Sequence, residues 1–471
     1  MSYLDELQKA TNRATTENGG ATNASTLNPF LDFFALGASK RNDIESAVRL
    51  FSKAYASDKT TALRILFYFR DVRGGQGERK IFRACMEELA AIDPEVEKNM
   101  LKYIPEYGRW DDLLYHRAGN PEAVKIVKLM LNNDLRSPIP SLLAKWMPSE
   151  NTSSGATRRA ARNWAQALGL KPSQYRKMLV KIRTKLDILE QKMSSKKWMD
   201  IKYENVPSQA FRKHTAAFNR NDHERYQEFI GAVNKGKKKI NTSTVTTAEA
   251  IQNVKSGDND SANAIWKSLD NFVPEDLNAI VMADVSGSMM GRPMEISTSL
   301  ALYFAERNKG LFANRFMTFS ERPRLVEVLG DTLTEKLENI ETSDWDMNTD
   351  IEAAFDALLS AASHTQDKST IPKVLYIISD MEFDRCATGA DETAFENARR
   401  KWKEAGLELP TVVFWNVDAR SNNTPATKFD KNVVLVSGSN QSAFRYAMEG
   451  KSPEQLMHEV IDSERYRKIV I

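Results

Sequence analysis

The stretch Ala279-Ile280-Val281-Met282-Ala283-Asp284-Val285-Ser286-Gly287-Ser288-Met289 decides the fold of the C-terminal part of this 471-residue chain. It opens as a run of small and β-branched apolar residues and ends in Asp-x-Ser-x-Ser. A continuous apolar run bounded by polar residues reads as a strand buried on both faces, the pattern of a parallel sheet. Its polar end falls where the strand passes into the next loop. In open α/β sheets that carboxyl edge is where ligands bind. One carboxylate and two hydroxyls within five residues form a compact set of hard oxygen donors, suited to Mg²⁺ or Mn²⁺.

Two later stretches extend the pattern. Asp346-Met347-Asn348-Thr349-Asp350 precedes a helical run of apolar residues (Ile351, Ala354, Phe355, Leu358, Leu359). Val374-Leu375-Tyr376-Ile377-Ile378-Ser379-Asp380 is a second buried-strand pattern ending in Asp. Around them strand and helix alternate. Strands are expected at 278–284, 313–319, 324–329, 373–379, 410–416 and 432–436. Helices are expected at 293–307, 350–362, 392–405, 440–448 and 453–468. This is the pattern of a doubly wound α/β sheet over residues 271–471.

The N-terminal part reads differently. Residues 1–26 are polar and low in complexity, which predicts a flexible arm. From residue 27 to 270 helical patterns follow one another. Ile44, Ala47, Val48, Phe51, Ala54 and Tyr55 share one face, and Leu63, Ile65, Leu66 and Phe69 another. Ile81, Phe82, Cys85, Met86 and Leu89 form a third. Further helices are predicted over 96–104, 121–132, 136–146, 156–168 and 172–192, and a short helix with a linker over 241–262. Such a succession suggests stacked helical hairpins, a helical-repeat domain without a fixed sequence period. Within it, Arg70-Asp71-Val72-Arg73-Gly74-Gly75-Gln76-Gly77-Glu78-Arg79-Lys80 predicts a turn, with Gly74 or Gly75 left-handed after one helix. Arg70, Arg73, Arg79 and Lys80 around a helix start also make a candidate phosphate site.

Charge is unevenly spread. The net formal charge is +3. Yet residues 151–240 hold 21 Lys/Arg against 7 Asp/Glu, and residues 271–471 hold 22 against 32. A basic block inside a folded chain points to a polyanion, most often nucleic acid. Its candidate contacts are Arg158, Arg159, Arg162, Arg176, Lys177, Lys181, Arg183 and Lys185. Trp164, Tyr175 and Trp198 interleave with them as stacking planes or as core. The competing reading is a basic face docked on the acidic C-terminal part. Two cysteines, Cys85 and Cys386, make no disulfide framework. With neither a leader pattern nor an apolar span, a soluble, cytoplasmic protein is expected, without membrane contact and monomeric.

Asp-x-Ser-x-Ser, then Thr349, then Asp380 resembles the metal-ion-dependent adhesion site (MIDAS) of von Willebrand factor A domains. That resemblance makes Asp284, Ser286, Ser288, Thr349 and Asp380 the shell of Mg²⁺ or Mn²⁺. It leaves one position for an acidic protein partner. The helical array with its Arg-Gly-Gly turn, followed by such a domain, resembles the TROVE module of the Ro ribonucleoprotein family. It is similar in particular to a TROVE-like branch to which residues 142–149 and 203–208 also conform. The resemblance implies a HEAT-like ring that grips small non-coding or misfolded RNA, and a binding protein rather than an enzyme. A metal-dependent protein-interaction scaffold without an RNA role is the alternative. Asp284 as a phosphoryl-accepting nucleophile is disfavoured. Aspartyl-phosphate enzymes carry a second Asp where Ser286 stands, and no Gly-x-Ser-x-Gly elbow or histidine lies in these motifs.

Overall fold

The computed structural model describes the chain apart from residues 1, 116–117, 320–322, 342–349, 388–390 and 447–450. Near its start, β1 (Arg13–Thr15) and β2 (Ala21–Asn23) pair as an antiparallel hairpin. In the C-terminal region, strands β3 (Ala279–Asp284), β4 (Arg315–Phe319), β5 (Arg324–Glu327), β6 (Val374–Ser379), β7 (Thr411–Asn416) and β8 (Val433–Ser437) form a six-stranded sheet. Its order is β5-β4-β3-β6-β7-β8. β5 is antiparallel to β4, and all other pairs are parallel. β3, β6, β7 and β8 are buried at every residue, the reason they read as unbroken apolar runs. The chain leaves β3 towards β4 and later returns to β6 on β3's other side. The switch point of this doubly wound order therefore lies between β3 and β6, at the ends that carry Asp284 and Asp380.

The N-terminal region is helical. Pro29–Leu36, Ile44–Ser57, Lys59–Arg70 and Arg79–Ile92 pack on one another through the apolar faces legible in the sequence. Asn28, Asp43 and Asp58 cap the first three. Both ends of this region rest on the C-terminal one. Pro29–Leu36 packs on β8, and Lys59–Arg70 packs on the terminal helices Pro453–Ile461 and Glu464–Arg467. At the other end, Thr247–Lys255 packs on Arg292–Arg307, and Asn259–Lys267 on Leu333–Glu341. The helices thus leave the sheet at one side and come back to it at another, with a cleft between.

Several expectations change. Within residues 1–26, expected to be a flexible arm, Tyr3–Thr11 is helical and the β1–β2 hairpin follows it. The polar residues of this hairpin find partners far along the chain. Thr16 Oγ donates to the Phe383 carbonyl at 2.6 Å, and the Asn23 and Thr424 main chains exchange hydrogen bonds of 3.1 and 2.9 Å. The helix expected over 136–146 shrinks to Leu143–Trp146, because Pro138 and Pro140 interrupt it. Residues 241–262 contribute to two helices, Thr247–Lys255 and Asn259–Lys267, rather than to a linker. In the Arg-Gly-Gly turn the left-handed glycine is Gly77 (φ +70°), not Gly74 or Gly75. Gly75 is needed for closeness: a β-carbon there would lie 1.9 Å from the Tyr68 carbonyl oxygen. Both cysteines are buried and free.

Candidate functional site

At the switch point the ends of β3 and β6 bring Asp284, Ser286 and Asp380 together in the interior, each 1% exposed or less. Asp284 Oδ1 accepts the Ser286 amide at 2.9 Å, and its Oδ2 accepts the Ser379 hydroxyl at 2.6 Å. Ser286 and Ser288 place their hydroxyl oxygens 3.0 Å apart. Asp380 Oδ1 accepts the Glu382 amide at 3.2 Å, whereas its buried Oδ2 has no hydrogen-bond partner among the described residues. Burial and the charge of Asp380 push the Asp284 carboxyl up to about 6. Two buried carboxylates and two hydroxyls, with one carboxylate oxygen that accepts no hydrogen bond among the described residues, fit a small hard cation. Thr349 lies outside the described residues. Next to it, Asp350 caps helix Ile351–His364 through the Ala353 amide at 2.8 Å.

Ser379, which the sequence presents only as strand, fixes Asp284 by donating to Oδ2 and accepting the Met381 amide at 2.9 Å. Met381 itself holds φ +69°, an uncommon conformation for a residue with a β-carbon. Arg420 is the other residue the sequence does not announce. It comes from the loop after β7, and its Nε lies 3.5 Å from Asp380 Oδ2. Its Nη2 donates to the Ser288 carbonyl, and its Nη1 lies 3.6 Å from Glu17 of the N-terminal hairpin. Lys40, buried, holds this loop through the Ser421 carbonyl at 2.7 Å.

The cleft between the helices and the sheet comprises two adjoining cavities that share Val72, Arg109, Gln209, Lys213 and Thr244. The larger, about 1490 Å³, is lined by Trp110, Trp146, Arg73, Lys145, Arg183, Lys213 and His214 among others. Arg109 lies over the Trp146 ring at 5.5 Å, and Lys145 at 5.9 Å. The smaller, about 500 Å³, reaches the carboxyl edge of the sheet at Val417 and Asp418 and the helix start at Arg292.

The sequence-predicted cations divide into two groups. Arg70 is 2% exposed, and its Nε and Nη2 donate to Asp112 Oδ2 at 2.8 and 2.6 Å, so it is a structural ion pair and not a phosphate contact. Arg183 is spent on the Ala144 and Met147 carbonyls and on Ser149 Oγ, at 2.7–2.8 Å. Lys185 is likewise held, donating to the carbonyls that end helix Pro121–Arg136. Arg73 donates to the Glu106 carbonyl, and Arg79 lies 3.6 Å from Asp111; both remain exposed, as does Lys80. Arg158, on helix Gly155–Ala167, is exposed but donates to the Thr152 and Ser153 carbonyls. Arg159 and Arg162 on that helix are exposed, as are Arg176, Lys177 and Lys181 on Pro172–Arg183. The interleaved Trp164 and Tyr175 are core. The aromatic planes that do face a cleft, Trp110 and Trp146, lie outside the basic block. A signal exists in Lys145-Trp146 and Arg109-Trp110, basic–aromatic pairs beside helix ends.

Family models match the chain in three segments. Residues 16–107 and 133–277 match the family described as Domain of unknown function (DUF2828), and residues 278–468 match Domain of unknown function (DUF7788). The "Uncharacterized protein L728" of Acanthamoeba polyphaga mimivirus is 30% identical over 501 residues, covering 96% of this chain and 87% of that protein. The crystal structure of the Deinococcus radiodurans RO (RSR) protein aligns with 89% of this chain and 99% of its own. That alignment has 13% identity and a TM-score of 0.39, from which a shared fold does not follow.

Proposed function

This chain belongs to the DUF2828 family, and from its own residues we propose that it is an RNA-binding protein rather than an enzyme, gripping single-stranded stretches of small or misfolded RNA. The observation that carries the reading is the larger chamber, where Trp110 and Trp146 sit among Arg73, Arg109, Lys145 and Lys213. Aromatic faces among cations suit unpaired bases joined by phosphates. The exposed Arg159, Arg162, Arg176, Lys177 and Lys181 add positive charge on helices Gly155–Ala167 and Pro172–Arg183. The likeness of the Arg-Gly-Gly turn and of Asp-x-Ser-x-Ser to the Ro ribonucleoprotein family points the same way.

Filter binding of a single-stranded RNA, beside a duplex of equal length, tests the reading for wild type and Trp146→Ala. Single strands should bind with a log–log salt slope of about −0.7 per phosphate neutralised. Trp146→Ala should remove about 1–3 kcal/mol, one stacked base. A protein that binds no single strand at about 50 mM salt sinks the proposal.

The second part of the proposal is a Mg²⁺ or Mn²⁺ held by Asp284, Ser286, Ser288 and Asp380, with Thr349 completing the shell and an acidic group from a protein partner as a further ligand. The metal would supply a fixed positive charge at the carboxyl edge. The residues' own work is to hold hard oxygens apart and dry. Calorimetry of Mg²⁺ and Mn²⁺ with wild type and Asp284→Ala checks it. Equal heats from the two proteins would remove the site.

A further inference from the structure

The smaller cavity differs from its neighbour in kind. Among its described lining residues there is no aromatic ring, so they offer bases nothing to stack on. It gathers cations from three separate parts of the chain. Arg41 comes from the bend before helix Ile44–Ser57 and Lys80 from helix Arg79–Ile92, Lys213 from Ser208–Asn221, and Arg292 from the start of the helix that follows Asp-x-Ser-x-Ser; Arg109 is shared by the two cavities. Lys80, Lys213 and Arg292 are exposed, and none of these three has a carboxylate within ion-pair distance among the described residues. Arg41 spends its Nη2 on Glu78 and on Ser439 Oγ at 2.7 Å, while its Nη1 is buried without an acceptor among the described residues. A buried guanidinium nitrogen without an acceptor is a deficit that a ligand oxygen would remove. The 14-residue helix Arg79–Ile92 also starts in this wall, and its N-cap Glu78 makes no side-chain cap, so amide donors remain at its end.

Three carboxylates, Glu78, Glu249 and Asp418, share this wall, the first two facing Arg41 and Arg212, but eight Lys and Arg side chains outnumber them, and the surplus positive charge repels unless an anion lies between. We propose that this cavity binds a compact polyphosphate, phosphate oxygens clustered on one small molecule, and that this ligand ties the helical region to the C-terminal region. A volume of about 500 Å³ suits a molecule of nucleotide size. Nucleoside triphosphates and inositol polyphosphates share this chemistry.

The test is calorimetry and thermal melting of the full chain with sodium tripolyphosphate, ATP without metal, and inositol hexakisphosphate, at about 50 and 150 mM salt. One molecule per chain should bind and raise the melting temperature, since a ligand that binds only the folded state stabilises it. An affinity for one of the two organic ligands well above that for tripolyphosphate identifies the source. The double variant Lys80→Gln/Arg292→Gln, which changes two exposed and unpaired groups, should lose affinity at least tenfold. Arg176→Gln/Lys177→Gln, on the outer helix, should not. The proposal is overturned if no polyphosphate binds at the lower salt, if binding is multiple and equal in both double variants, or if Lys80→Gln/Arg292→Gln binds like wild type. It is also overturned if single-stranded RNA competes with tripolyphosphate and loses affinity to the same extent in that variant. The cavity would then belong to the RNA path.

Discussion

The Arg-Gly-Gly turn and the pair of basic helices look alike in the sequence, each a cluster of cations near helix ends, and the fold uses them in opposite ways. In the turn, Arg73, Arg79 and Lys80 stay exposed, but Arg70 and Asp71 are consumed internally. Arg70 meets Asp112 in the interior, and Asp71 accepts Arg465 Nη2 at 2.6 Å and the Tyr466 hydroxyl at 2.8 Å. Gln76 donates to the Tyr68 hydroxyl at 2.7 Å, and Asn440 donates to the Gly75 carbonyl at 2.7 Å. The turn is a fastener between the helical region and the chain's last residues. In the basic helices, Arg159, Arg162, Arg176, Lys177 and Lys181 point into solvent. What separates the two is compensation, and the compensating partners, Asp112 for Arg70 and Arg465 for Asp71, lie 42 and 394 residues away.

The largest break in this comparison should come from the fastener. Arg70→Ala leaves Asp112 buried with one of its partners gone, and such losses cost about 3–5 kcal/mol. Asp71→Ala strands Arg465 and Tyr466 in the same way. Urea melts should show both variants strongly destabilised, and RNA affinity measured on the folded fraction should be little changed. A near-wild-type midpoint for both would mean that the turn fastens nothing.

A smaller effect, on binding alone, is expected from Arg176→Glu/Lys177→Glu/Lys181→Glu. Three lost phosphate contacts flatten the salt slope by about 2, at roughly 0.7 each. Affinity at low salt should fall at least tenfold, with the melting temperature unmoved. Arg183, on the same helix as these three, sharpens the contrast. Arg183→Ala should cost about 1–3 kcal/mol of stability, because it leaves the Ala144 and Met147 carbonyls without their donor. A triple variant that melts early would instead support a basic face docked on the C-terminal region.

The smallest effect concerns Arg420. Its guanidinium already supplies positive charge beside Asp380 Oδ2, where a bound cation would be repelled. Arg420→Gln should raise Mg²⁺ affinity by on the order of 1 kcal/mol, roughly fivefold, in calorimetry at low salt. Weaker binding would show that Arg420 supports the site rather than competing for it.

The sheet and the carboxylates at its carboxyl edge are legible because their signals are local. A strand buried on both faces must be apolar throughout, and a polar residue at its end has one place to go. Asp284, Ser286 and Asp380 follow from that alone. Arg420 cannot be read in this way: it sits in a loop whose position depends on Lys40 and on the N-terminal hairpin. The hairpin escapes for the same reason. Thr16 and Asn18 look like disorder until the carbonyls of Phe383 and Glu382 are set beside them. Arg70 looks like a phosphate contact because Asp112, 42 positions on, is invisible to a local reading. Trp110 and Trp146 do not stand out because charge is densest elsewhere, whereas the chamber draws its walls from several helices.

The hairpin's partners also set an order of events during synthesis. Residues 16–23 wait for residues 382–384 and 424, nearly the whole length of the chain. At roughly 5–20 residues per second on the ribosome, that is a delay of about 20–80 s. Throughout it Lys40 and Asp71 lack the groups they are buried against, and the face of Pro29–Leu36 that packs on β8 is uncovered. A ribosome stalled before β6 would therefore carry a nascent chain whose helix Pro29–Leu36 still has an open apolar flank, a substrate for chaperones.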